Sequence, residues 1–275
     1  KTTEKATEAG TEQGSEKATE AAKEEKADSG ELRTYKLGVN GSDHEEWEKA
    51  NELLQKDNIK LEMVEFSDYV KPNEALEDGE IDLNAFQTEI YFNNFVKERG
   101  YTDLGILAYT QVAPMGIYSS KYKSLDEATG HLIIAIPNDV TNGGRALKFL
   151  EKNGFLTLKK EAGLTPTVMD IEKYNKDVEI VEMVATQIPA SLPDLSFACI
   201  NNGVAKDAGL TLKNDAIVYE DYKEPDMKNY WNIIAAKKDR IESEDFQKIK
   251  KAYNSDEVKQ VILEHYDGQS IPVWD

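Results

Sequence analysis

The segment from Leu132 to Lys152 constrains the fold most. Leu132-Ile133-Ile134-Ala135-Ile136 is an unbroken apolar run of strand length, which reads as a buried strand. Pro137-Asn138-Asp139-Val140-Thr141-Asn142-Gly143-Gly144-Arg145 follows as a polar turn, and Ala146 to Lys152 as a helix. That order places backbone N–H groups and a helix N-terminus at the C-terminal edge of the strand, a place suited to an anion. Arg145 falls in the first turn of the expected helix, where a cation gains nothing from the helix dipole. A ligand carboxylate held by two parallel hydrogen bonds accounts for it. A helix capped by Thr141 or Asn142, with an exposed arginine, accounts for it equally. The stretch has neither the Gly-x-x-x-x-Gly-Lys nor the Gly-x-Gly-x-x-Gly spacing, which disfavours a nucleotide.

The same alternation runs along the chain. Lys36–Val39 is a short strand, and Ser42 or Asp43 can cap a helix running to about Lys56. Ile59–Phe66 alternates as a half-buried strand, Ser67–Leu76 is a loop entering a short helix, and Ile81–Phe86 is another strand. Glu89–Arg99 is a helix stopped by Gly100, and Leu104–Tyr109 and Val112–Tyr118 are strands. The pattern then restarts, with a short helix at Ser124–Ala128, the central strand–turn–helix, and strands at Glu179–Met183, Phe197–Asn201 and Ala216–Tyr219. Short helices are expected from Gln187 and over Asn202–Gly209. Asn232–Lys237 returns to the first unit, followed by helices ending at Tyr253 and Tyr266. Strands separated by helical crossovers imply parallel sheets. Two such runs predict an α/β fold of two lobes: residues 34–120 plus 228–275 form lobe 1, residues 121–227 form lobe 2, and the first crossing lies near Tyr118–Lys123. Residues 1–33 carry no large apolar residue before Leu32 and repeat Thr3–Ala9 as Ser15–Ala21. They are expected to be a disordered tether, unable to offset their conformational entropy by burial.

The 275 residues carry a net charge of −19, which argues against nucleic acid and against a polybasic membrane contact. The single cysteine, Cys199, has apolar neighbours and reads as a buried strand residue; one cysteine excludes an intrachain disulfide. His44, His131 and His265 are scattered without metal-ligand spacing, and no metal or other cofactor is expected. No apolar run approaches the roughly 18–20 residues of a membrane span. The chain opens without a signal peptide, so an exported form is expected to be read here in its mature part.

In an α/β fold of two lobes, small ligands sit between the lobes, at the C-terminal ends of strands. The residues expected there are Tyr69, Phe86, Thr88, Asn138, Asn142, Arg145, Asn201, Asn202 and Asn232. An arginine can take a carboxylate, asparagine carbonyls can accept from an ammonium group, and aromatic rings can pack an apolar side chain. The set suits an amino acid with an apolar tail. Core packing remains open for each aromatic, and a turn or cap for each asparagine. No nucleophile–base pair stands out, so an enzyme is not expected.

At these residues the sequence resembles the methionine-binding lipoproteins of the NlpA/MetQ type. Phe66–Leu76, Asp82–Gln87, Pro137–Arg145 and Ile200-Asn201-Asn202 carry the resemblance, which runs from about Lys36 to the C-terminal helices and excludes the tail. It implies a type II periplasmic-binding-protein fold. It also implies capture of L-methionine and its delivery to the permease and ATPase complex of an ABC importer. Arg145 would hold the carboxylate, Asn201 and Asn232 the amino group, and Tyr69 and Phe86 the side chain. A lipidated cysteine ahead of Lys1 would anchor an extracytoplasmic protein to the membrane, with the tail as spacer. The family usually reads Ala-Phe-Gln-His where this chain has Ala85-Phe86-Gln87-Thr88. Thr88 presents no imidazole, so another amino acid, a methionine-containing dipeptide, or an adhesion or signalling role with a vestigial cleft stay open.

Overall fold

The computed structural model describes residues 30–274; the repeat-bearing part of the expected tether, residues 1–29, lies outside the described residues. Strand β1 (Arg33–Asn40) runs parallel to β2 (Ile59–Phe66) in unbroken register from Arg33↔Ile59 to Asn40↔Phe66. The crossover is helix α1 (Glu45–Leu54), whose Trp47, Ala50 and Leu54 fall on one face and are buried. Neither Ser42 nor Asp43 caps it; His44 occupies that position and makes no side-chain cap bond.

Helix α2 (Lys71–Glu77) leads to β3 (Leu83–Asn84), which pairs parallel with β1. The expected strand over Ile81–Phe86 shrinks to these two residues for a visible reason. Asn73, Asn84 and Gln87 form a buried network: Asn73 Nδ2 donates to Gln87 Oε1 at 2.8 Å, and Gln87 Nε2 donates to Asn73 Oδ1 and Asn84 Oδ1 at 2.7 and 2.9 Å. Buried amides must find partners, and here the chain leaves the ladder to supply them. Helix α3 (Glu89–Arg99) is capped by Thr88, whose Oγ1 accepts the Tyr91 N–H, and is closed by Gly100 at φ +69°.

Strands β4 (Leu104–Val112), β12 (Trp231–Lys237) and β13 (Ile271–Pro272) complete the first sheet, in the order β13-β4-β12-β3-β1-β2. Beyond the single turn α7 (Lys238–Ile241), its core packs against α1, α8 (Glu244–Tyr253) and α9 (Asp256–His265), with Trp47 on Tyr253 at 4.3 Å between centroids. A second sheet holds β5 (Gly116–Tyr118), β6 (Leu132–Pro137), β9 (Val178–Met183), β10 (Phe197–Ile200) and β11 (Ala216–Tyr219), in the order β11-β5-β10-β6-β9. Helices α4 (Val140–Lys152), α5 (Ile188–Ser191) and α6 (Asn202–Asp207) belong to this lobe. So does a hairpin of β7 (Leu156–Leu158) and β8 (Ile171–Tyr174), which the sequence pattern did not announce. Cys199 is fully buried in β10, and burial pushes its thiol pKa up.

Three expectations need correction. The first crossing lies at Ala113–Met115, because β5 already pairs with β10 of the second sheet, not at Tyr118–Lys123. Ser124–Ala128 forms bends and turns, not a helix. Helix α4 begins at Val140 and is capped by Asp139, whose Oδ1 accepts the Asn142 N–H at 2.9 Å and the Thr141 hydroxyl at 3.0 Å. An aspartate is the stronger cap because its charge also meets the helix dipole. Arg145 therefore sits in the second turn, not the first.

The paired glycines of α4 serve packing. A Cβ at Gly144 would lie 2.9 Å from Thr165 Cα and 3.0 Å from the Pro166 carbonyl oxygen, both backbone. Gly144→Ala is expected to lower stability by about 1–3 kcal/mol. A lower thermal unfolding midpoint is the readout; an unchanged midpoint would mean that the Thr165–Pro166 loop yields freely.

Glu46 lies on the buried face of α1, 5% exposed. Burial raises its carboxyl pKa, and the hydrogen bond donated by the Tyr266 hydroxyl at 2.5 Å opposes that rise without reversing it. The folded chain thus holds this proton more tightly than the unfolded chain. Stability from this group is present below its unfolded pKa and falls as pH rises through the folded one. Glu46→Gln removes the titration, so its unfolding midpoint relative to wild type should climb as pH rises from the ordinary carboxylate range upward. A constant difference over that range would show that Glu46 is not held protonated.

Candidate functional site

A cavity of about 630 Å³ opens between the two sheets. Tyr69, Phe86, Thr88, Asn142, Arg145, Asn201, Asn202 and Asn232 all line it. Asn138 does not; it is exposed just past β6, with its backbone N–H donating to the Met183 carbonyl at 2.8 Å.

One wall comes from lobe 1. Tyr69 lies in the loop after β2, and Phe86 and Thr88 lie between β3 and α3. Tyr91, in the first turn of α3, completes a trio with Tyr69 and Phe86 whose ring centroids stand 6.0–6.1 Å apart. The Tyr91 hydroxyl donates to the Tyr69 carbonyl at 2.8 Å. Burial, and then the charge of Asp139, push both phenol pKa values up, so the rings present neutral faces. The Asn73–Asn84–Gln87 network holds the backbone on either side of Phe86. Tyr91 could have been found from its spacing to Thr88, but an aromatic in a helix reads first as core.

The opposite wall is built on Arg145, which is 3% exposed. Its Nε donates to both carboxylate oxygens of Glu220 at 3.1 Å, and Nη2 donates to Glu220 Oε2 at 2.5 Å and to the Ala113 carbonyl at 2.9 Å. The guanidinium lies 4.3 Å from the centroid of the Tyr230 ring. Burial pushes the Tyr230 hydroxyl pKa up to about 12. Nη1 makes no hydrogen bond among the described residues. Glu220 was missed in the sequence. A buried arginine demands an acid, but nothing local distinguishes one partner 75 residues away among 52 acids.

The amides are oriented in a chain. Asp139 can only accept, so it turns Asn142 Nδ2 toward itself, at 3.1 Å from each oxygen. Asn142 Oδ1 then accepts from Asn201 Nδ2 at 2.8 Å. That leaves Asn201 Oδ1 buried without a partner among the described residues. Asn202 donates to the Gln269 carbonyl at 2.8 Å and also keeps a buried, unpartnered Oδ1. Asn232 Nδ2 donates to the Gln111 carbonyl at 3.1 Å, and its backbone bridges to Thr88; the Gln111 Oε1 is a further unpartnered acceptor. Such groups cost free energy unless something donates to them. A ligand with a carboxylate, several N–H donors and an apolar tail would complement the whole lining.

On another rim the lobes touch. Lys206 Nζ stands 3.4 Å from Asp43 Oδ2 and 4.3 Å from the centroid of the Tyr266 ring, while His265 Nε2 lies 2.8 Å from Asp43 Oδ1. Leu212 N–H donates to Gln269 Oε1 at 3.0 Å.

Known proteins resemble this chain in sequence and in fold. The D-methionine-binding lipoprotein MetQ of Escherichia coli K12 is 40% identical over 243 residues, 87% of this chain and 88% of that protein. The structure of a nutrient-binding protein from Burkholderia cenocepacia bound to methionine superposes with a TM-score of 0.82 at 36% identity, covering 87% of this chain and all of that one. The substrate-binding protein of a methionine transporter from Streptococcus pneumoniae gives 0.82 at 38% identity, over 88% of this chain and 96% of that one. These relatives share the two-lobe type II fold. The family model described as NlpA lipoprotein spans residues 35–274, every element from β1 to β13, and the chain belongs to that family.

Proposed function

We propose that this chain is an extracytoplasmic solute-binding lipoprotein. It captures methionine, or a close analogue, between its lobes and hands it to the permease and ATPase complex of an ABC importer. The observation that carries this reading is one cleft holding three complementary features. They are the open Nη1 edge of Arg145, the unpartnered acceptors of Asn201 and Gln111, and the Tyr69–Phe86–Tyr91 rings. Arg145 takes the ligand carboxylate, the amide oxygens of Asn201 and Asn232 take the ammonium group, and the rings pack the side chain. Thr88 caps α3 and lines the cleft, and Tyr91 closes the wall beside it. In this reading a lipid anchor precedes Lys1, the N-terminal tail is the spacer, and the segments between lobes at Ala113–Met115 and Glu220–Tyr230 are the hinge. The cavity volume favours one second reading, a methionine-containing dipeptide in the same cleft, because it exceeds the needs of a single amino acid.

Mass spectrometry of small molecules released on denaturation identifies the ligand. Methionine is expected to raise the thermal midpoint of the wild type. Arg145→Ala should abolish that shift. It should also cost about 3–5 kcal/mol of unliganded stability, because Glu220 is left buried and unpaired. Full methionine binding by Arg145→Ala would overturn the assignment. Ligand saturation should reduce the radius of gyration in small-angle scattering as the lobes close; an unchanged radius would exclude closure as part of capture.

A further inference from the structure

We propose that Glu220 is a specificity-determining residue: by cancelling the charge of Arg145, it makes the cleft select zwitterions over simple carboxylates. The proposal rests on the reading that Arg145 takes the ligand carboxylate, and it adds what that reading leaves open, namely why an ammonium group is required.

Arg145 and Glu220 form a buried pair, with side chains 4% and 10% exposed. Glu220 covers the Nε and Nη2 edge of the guanidinium, the Ala113 carbonyl shares Nη2, and Tyr230 covers a face. Among the described residues nothing bonds to Nη1, which is left for a ligand. The carboxylate of Glu220 is itself fixed, because Oε2 accepts the Met115 N–H at 2.7 Å while the Glu220 N–H donates to the Met115 carbonyl at 3.0 Å. Among the described residues no other acid pairs with Arg145. Of the other acids that line the cavity, Asp43 pairs with Lys206 and His265 and Glu46 accepts from Tyr266, while among the described residues Glu65 and Asp207 make no pair with Arg145; Asp139, behind the amides, is engaged by Thr141 and Asn142.

The pair is therefore neutral before a ligand arrives. A zwitterion adds one charge of each sign and leaves the buried group of charges neutral. A carboxylate without an ammonium group adds a net negative charge beside Glu220, in a site of low polarisability. Burying one uncompensated charge costs enough to weaken binding about 100-fold or more. The neutral amides of Asn201, Asn232 and Gln111 then suffice to orient the ammonium group, and no carboxylate need touch it.

Calorimetric titration compares methionine with its analogue lacking the amino group. Wild-type protein should prefer methionine by about 100-fold or more. In Glu220→Gln the site keeps the positive charge of Arg145, so the preference should fall by about tenfold or more. Glu220→Asp, which keeps the charge, should hold a preference close to wild type. A purely structural role would weaken both ligands in parallel and leave the ratio unchanged, and that result overturns the proposal. If Glu220→Gln does not fold, the wild-type comparison decides: deaminated analogue bound within about tenfold of methionine would mean a net-positive site and would also overturn it. Wild-type protein that binds no amino acid removes the underlying reading, and this proposal with it.

Discussion

The buried pair of Arg145 and Glu220 is the contact on which the rest of the molecule turns. Two charges taken out of water repay their desolvation only when geometry and further hydrogen bonds are good. Here the geometry draws on every part of the interlobe region. Arg145 comes from α4, Glu220 and Tyr230 from the segment that returns to the first lobe, and Ala113 and Met115 from the one that leaves it. The segments that join the lobes therefore cannot shift without disturbing the guanidinium. A ligand that touches Nη1 is in contact, through one side chain, with both connections.

The other wall depends on a different economy, that of neutral amides. Asn73, Asn84 and Gln87 exchange hydrogen bonds in a fully buried cluster, and Asn84 also donates to the Pro72 carbonyl at 3.1 Å. A cluster of this kind is rigid because each member's orientation fixes the next. It holds the short β3 and the turn that follows, and so sets Phe86 and Thr88 at the cleft. The Asp139–Asn142–Asn201 relay works in the same way on the facing lobe, with the acceptor-only carboxylate dictating which end of each amide is left over.

Much of this was legible in the sequence. Buried strands such as Leu132–Ile136 announce themselves by unbroken apolar runs, and the end of α3 by Gly100. Residues at strand ends in an α/β fold converge, which is why Tyr69, Phe86, Asn201 and Asn232 meet although they are far apart in the chain. What could not be read was set by partners distant in sequence. Glu220 looks like any other surface acid until Arg145 is folded against it. Asn84 looks like a strand residue until Asn73 and Gln87 are placed beside it. The first crossing was expected some residues late because Ile117 and Tyr118 are apolar and buried in either sheet; only their pairing with β10 assigns them to the second. Asn138 shares its neighbourhood in sequence with Asn142 but points away, because the helix begins after it and carries only the later residues inward.

The order of strands in the first sheet has a further consequence. Strand β12 is central there, between β4 and β3, yet it follows the whole second lobe in the chain. The second sheet, by contrast, is contiguous from β5 to β11. As the polypeptide emerges from its N-terminus, the second lobe can be completed while the first still has a gap in the middle of its sheet. Among the last pieces to arrive, β12, α8 and α9 supply the residues that pack with Trp47, Leu83 and Leu107. The half of the molecule that begins first is thus finished last, and until then its exposed edges and apolar face are the vulnerable stage in its biogenesis.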